Sequence, residues 1–159
     1  MENTVLSRRL KAVIIALGVL GALVYCIALP LMGMDMVFAY PEFSDFYWPW
    51  LIFFWASGVP CYQVLIYGWM VTENIAEGHP FTHENAKLIK RIAQFAIWDT
   101  VYFLIGNVIL FLLGMSHPGI VLLSFAVVLA GVVFSIVASA LSSFVTRASN
   151  LQEQSDLTI

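Results

Sequence analysis

The chain has 159 residues, of which 61% are hydrophobic and only 11% charged, with a formal net charge of −3 and a mean hydropathy of +0.90. A soluble domain is about 45–50% apolar and about 25% charged, so this excess is too large for one small core and points to a membrane protein. The net charge says little about partners, because the charges are placed very unevenly along the chain.

Arg8, Arg9 and Lys11 precede an apolar run from Ala12 to Met34. That run is longer than the roughly 7–15 residues of a signal-peptide core, and no small-x-small cleavage site follows it. Leu23-Val24-Tyr25-Cys26 departs from a lipidation box at the bulky Tyr25. The run therefore reads as a retained first span. Four spans are expected, at about 12–31, 50–71, 92–115 and 119–145. Each has about 20 or more residues, enough at 1.5 Å per residue to cross ~30 Å of hydrocarbon. Lipid cannot satisfy backbone polar groups, so the spans should be helices. The expected fold is all-α: a single-domain, integral membrane four-helix bundle.

All seven Lys and Arg residues fall on one side of these spans: Arg8, Arg9 and Lys11 before the first, Lys87, Lys90 and Arg91 between the second and third, Arg147 after the fourth. The positive-inside rule then places both termini and the Glu73–Arg91 loop in the cytoplasm. The first outer loop, Asp35 to Trp48, is rich in aromatic residues, and Pro41 and Pro49 should bend it. Its rings read as an interfacial belt or, alternatively, as an outward pocket for an apolar or cationic ligand. In the cytoplasmic loop, Gly78 is placed as a left-handed C′ residue with Pro80 behind it. Thr82 is the expected N-cap of the next helix, with Glu84 in its first turn and Asn85 where a full capping box would carry Glu or Gln. Glu73 and Glu77, at the unfavourable end of a helix dipole, are expected to pair with Lys87, Lys90 or Arg91.

Asp99 is the one ionisable residue inside a span, where an acid costs about 2.5–3.5 kcal/mol on insertion scales unless it has a partner or a wet path. Counting depth along the helices puts Gln63 and Ser139 at a similar level, with Tyr67 and Tyr102 within reach. The three would form an intramembrane polar layer able to bind an ion, relay a proton or hold a headgroup, or else simply to lock packing. Asn107, deeper in the third span, reads as a packing residue. In the fourth span Gly131, Ser135, Ser139 and Ser143 recur every four residues, with Ala126, Ala130, Ala138 and Ser142 nearby. Such a stripe suits close helix packing inside the chain, with Gly18 and Ala22 as the facing groove, or a homodimer seam. Pro60 is expected to kink the second span. Cys26 and Cys61 lack disulfide or zinc spacing and read as packing residues. There is no HExxH, GxSxG or P-loop. His79 and His83 are separated by a turn, so neither a metal site nor an enzyme is expected, and no cofactor.

The turn Pro80-Phe81-Thr82-x-Glu84-Asn85 with Lys and Arg after it, and the ending Leu151 to Ile159 (LQEQSDLTI), resemble the bacterial four-span membrane proteins catalogued as DUF 2975. The likeness covers almost the whole chain. Gln154 and Ser155 stand where that family commonly has an acid or Asn. The family has no settled activity. Its members are often encoded beside a small helix-turn-helix regulator, which implies a cytoplasmic DNA-binding partner, with no direct contact between this chain and nucleic acid. The expected docking surface comprises Glu77, Pro80, Phe81, Glu84, Asn85, Lys87, Lys90 and Arg91 with Leu151, Asp156 and Leu157. The reading is thus a regulatory or sensory protein in the lipid bilayer, and the resemblance implies that this bilayer is a bacterial cytoplasmic (inner) membrane. The alternative is a small transporter or immunity protein working through Asp99.

Overall fold

The computed structural model of the chain describes residues 2–156. Its helices are α1 (Glu2–Leu23), α2 (Leu29–Ala39), α3 (Tyr47–Ala76), α4 (His83–Leu112) and α5 (Pro118–Asp156), with no strand among the described residues. A single π-helical turn, Val24–Ala28, joins α1 to α2 without a break, and a 3₁₀ segment, Pro41–Phe46, leads into α3. Four stretches are long and apolar enough to cross a membrane: Thr4–Ala39, Pro41–Ala76, His83–Leu112 and Pro118–Ser155. The loop expected between Asp35 and Trp48 is almost entirely helical, and its bend lies at Tyr40, whose backbone is extended (φ −136°, ψ 81°). Pro41 opens the 3₁₀ segment and Pro49 sits in the first turn of α3, where a missing N–H costs nothing.

The two turns that follow are set by glycine. Gly78 (φ +86°) ends α3, with its N–H on Ile75 O and the His79 N–H on Asn74 O, at 3.2 and 3.0 Å. That is the Schellman pattern, and it needs the left-handed backbone glycine adopts freely. Gly114 (φ +70°) closes α4 the same way, with bonds to Phe111 O and from Met115 N to Leu110 O. Span three therefore ends at Leu112, three residues earlier than its apolar run suggests. Thr82 caps α4 as expected, its Oγ1 accepting from Asn85 N at 3.2 Å.

The helices form a row, α1–α3–α4–α5, in which each packs on its chain neighbour. α1 shares no close contact with α5, so the bundle is open along that side. The tightest seam is α4 on α5. Along α5, steps of four and three residues alternate through Ser124, Val128, Gly131, Ser135, Ala138, Ser142, Val145 and Ser149, all buried or half-buried. Their smallness lets the backbones meet: Ser135 Oγ donates to Ala93 O at 3.0 Å and Ser142 Oγ to Ala86 O at 2.8 Å. A Cβ on Gly131 would strike the Thr100 side chain. The small residues thus serve packing within the chain. They follow a 3.5-residue repeat rather than the four-residue one, which leaves Ser139 and Ser143 exposed on the flank. Asn107 belongs to this seam, its Oδ1 accepting from Ser124 Oγ at 2.9 Å and its Nδ2 donating to Phe103 O at 2.8 Å.

α3 meets α4 through rings, Phe53 lying against Tyr102 and Phe103 at 5.2 and 5.7 Å between centroids. Pro60 stays inside a continuous α3. α1 packs on α3, not on α5 as its Gly18 and Ala22 suggested. Tyr62 Oη donates to Gly18 O at 2.8 Å, and Ser7 Oγ to Thr72 O at 3.0 Å.

The π turn in the first span has a local cause. Leu29 N–H donates to Val24 O, five residues back. The next bond in that register would need an N–H at residue 30, which Pro30 lacks. The Tyr25 carbonyl is left to another donor, and Trp55 Nε1 on α3 supplies it at 2.9 Å. Trp55→Phe should therefore lower stability by about 1–2 kcal/mol, the cost of stranding a carbonyl in apolar surroundings. Thermal unfolding in non-ionic detergent measures this. Adding Pro30→Ala should recover part of the loss by returning an N–H.

Candidate functional site

Two regions hold the residues singled out by the sequence. The first lies inside the membrane spans. Asp99 on α4 faces α3, where Cys61 Sγ lies 3.5 Å from its Oδ2. Tyr25 Oη from the π turn reaches both Cys61 Sγ (3.9 Å) and Ser57 Oγ (3.3 Å). A chain of polar groups thus runs Ser57–Tyr25–Cys61–Asp99 across three elements. The other carboxylate oxygen, Oδ1, is buried and has no hydrogen-bond partner. These groups line a cleft of about 650 Å³, walled by all four long helices and bordering the gap between α1 and α5. Thr100 joins them, its hydroxyl bonded back to Ala96 O at 2.7 Å.

The expected trio does not line this cleft together. Asp99 lines it, while Gln63 and Ser139 do not; Gln63 is half-buried and Ser139 exposed. Cys61 stands only two residues from Gln63. Two residues also turn a helix by about 200°, which puts Cys61 and not Gln63 beside Asp99. Cys61, read as a packing residue, is the carboxylate's neighbour. Tyr67 lies elsewhere, accepting from Arg91 Nη1 at 3.3 Å and stacking on Phe95. Tyr102 Oη donates to Phe53 O at 3.1 Å.

The second region is the end where α1 starts and α5 finishes, and it carries all the basic residues. Lys11 bonds Glu73 at 3.4 Å, and Trp69 Nε1 donates to the same carboxylate oxygen at 2.8 Å. Lys11 also sits over the Trp69 ring, 4.7 Å from its centre. Glu73 is thus relieved by α1, not by Lys87, Lys90 or Arg91, and Arg91 instead lies over Tyr67. Among the described residues Glu77, Lys87 and Lys90 form no ion pair. The α3–α4 turn is tied to the far end of α5, since His83 Nε2 lies 3.3 Å from Glu153 Oε1.

Of the expected docking residues, Glu77, Phe81, Glu84, Lys87, Lys90, Arg91 and Leu151 are exposed and Pro80 is half-buried. Asn85, expected on that surface, is instead 0% exposed and presents nothing to a partner. Its Nδ2 donates to His79 O (3.1 Å) and Pro80 O (3.0 Å), and its Oδ1 accepts from Asn74 Nδ2 (2.7 Å). Leu157 lies outside the described residues, as does the side chain of Asp156. No group of three His, Cys, Asp or Glu side chains fit to hold a metal occurs among the described residues.

Comparison with known proteins agrees with this architecture. The chain is 20% identical over 153 residues to the "Uncharacterized membrane protein YoaS" of Bacillus subtilis (strain 168), an alignment covering 94% of this chain and 95% of that one. No solved structure matches. The model of the family described as "Protein of unknown function (DUF2975)" matches residues 31–159. With four stretches that can cross a bilayer and a match over most of its length, this multi-pass membrane protein belongs to the DUF2975 family.

Proposed function

We propose that the chain is a regulatory or sensory membrane protein, without catalytic activity of its own, that engages a small helix-turn-helix DNA-binding regulator. In this reading the end carrying both termini faces the cytoplasm of a bacterium, as its seven Lys and Arg residues favour. The observation that carries it is the joining of the two distinctive motifs. The Pro80–Arg91 turn and the last turns of α5 meet at His83 and Glu153, with Phe81 52% and Leu151 67% exposed on the same end. Large apolar side chains at an end rich in charge are what a soluble partner would cover. Capture of the tagged full chain from detergent extract of its native cells, with mass spectrometry of what is recovered, tests the reading by asking for a helix-turn-helix regulator. Deleting residues 151–159 should lower recovery of the regulator by tenfold or more. Equal recovery would remove the tail from the interface, and no recovery by the full chain would sink the proposal.

A second reading, a small transporter or immunity protein, is favoured by the cleft at Asp99. Under it Asp99→Asn abolishes flux or resistance with expression unchanged. Loss of thermal stability alone would make the carboxylate a packing group.

A further inference from the structure

An intramembrane carboxylate with one unpartnered oxygen is expensive, and the cleft shows what would satisfy it. The wall is built of apolar side chains, among them Leu17, Leu20, Phe54, Phe95, Phe103 and Phe134. One face of Asp99 is taken by the weak thiol donor of Cys61 at 3.5 Å. The other, Oδ1, is buried without a hydrogen bond. The complement of such a site is a ligand with one strong donor and positive charge at one end and an apolar body at the other. An anion is disfavoured by the carboxylate. A bare inorganic cation would find few oxygen ligands here, since hard cations need about six. An ammonium needs only one carboxylate, and the aromatic rings lining the space add attraction for it. The volume, about 650 Å³, falls in the ~300–1,000 Å³ range that encloses a compact, drug-sized molecule. The way in is lateral, because the backbones of α1 and α5 stay apart along the described residues.

We propose that the cleft binds a compact lipophilic amine, which enters from the bilayer between α1 and α5 and sets its ammonium against the Asp99 carboxylate where that side chain lines the cleft. The inference rests on the second reading only in using Asp99. Binding and flux are measured separately, so a protein that binds the amine without moving it retires transport and keeps the site.

The test uses the full chain in non-ionic detergent, with dodecylamine as probe and dodecanol as its neutral, chain-matched control. Thermal unfolding is followed at equal concentrations of each. Saturating amine should raise Tm on the order of 5 °C, and dodecanol should not. Asp99→Asn should abolish the shift. Because that change could act through folding, Ala130→Phe supplies a second variant. Ala130 is an exposed lining residue on α5, and a ring there fills the cleft while Asp99 stays intact. It should keep the unliganded Tm and lose the amine shift. Equal shifts from amine and alcohol, or an amine shift that survives both substitutions, would overturn the proposal. A shift of the same size from phosphatidylethanolamine would overturn the assignment to a compact ligand.

Discussion

Asn85→Ala is expected to be among the most destabilising single substitutions at the membrane-exit end, lowering stability by about 2–4 kcal/mol. The side chain is 0% exposed, and three hydrogen bonds depend on it: two to the carbonyls of His79 and Pro80, one from Asn74. Truncation strands all three partners at once. The estimate stays below the sum of three full desolvation penalties because His79 is exposed and water can reach that side of the turn. Thr82→Ala, which removes only the cap on Asn85 N, should cost about 1 kcal/mol. Thermal unfolding in detergent ranks the two, and limited proteolysis should find the turn cut faster in the Asn85 variant. The isosteric Asn85→Asp separates filling from bonding. It keeps the acceptor for Asn74 but turns two donations into a carboxylate facing two carbonyl oxygens. It should be at least as harmful as Ala, and a well-tolerated Asp would show that the amide merely fills space.

That residue also shows where a sequence stops being legible. Asn85 stands out in the sequence as the odd member of a capping box, because the Gly78, Pro80 and Thr82 signals are local and act through backbone geometry. What it does instead depends on the folded turn, whose carbonyls converge on it only once Gly78 has taken its left-handed conformation. The four spans were legible for a similar reason, since length and hydropathy are read along the chain. Rotation about a helix axis is not. Depth counting placed Asp99, Gln63 and Ser139 on one level, but the phase of α3 puts Cys61 at the carboxylate and the phase of α5 leaves Ser139 exposed. Glu73 had several basic residues within reach on paper. Both α1 and α4 flank α3, but the facing of the helices gives Glu73 to Lys11 on α1 and lays Arg91 of α4 over Tyr67 instead. The π turn left no compositional mark beyond Pro30, and only the Trp55 indole from another helix shows which carbonyl it frees.

The phase of α5 can be tested directly. Gly131→Val should cost about 3 kcal/mol, whereas Ser139→Val, two turns along the same helix, should change stability by less than about 0.5 kcal/mol. Hydrophobic burial does not drive helices together in lipid, so the α4–α5 seam depends on close packing and interhelical bonds. At residue 131 there is no room for a side chain. Thr100 occupies the place a Cβ would take, and its hydroxyl is held against Ala96 O. A branched residue there must push the helices apart, straining the bonds from Ser135 to Ala93 O and from Ser142 to Ala86 O. A four-residue stripe would instead make Ser139 as sensitive as Gly131, so the pair of variants decides between the two registers. The clash can then be assigned to its partner through a double-mutant cycle. Gly131→Ala should be costly alone and nearly free in a Thr100→Ala background, because the space Thr100 gives up is the space the new methyl needs. Equal costs in both backgrounds would mean that the close approach lies elsewhere on α4.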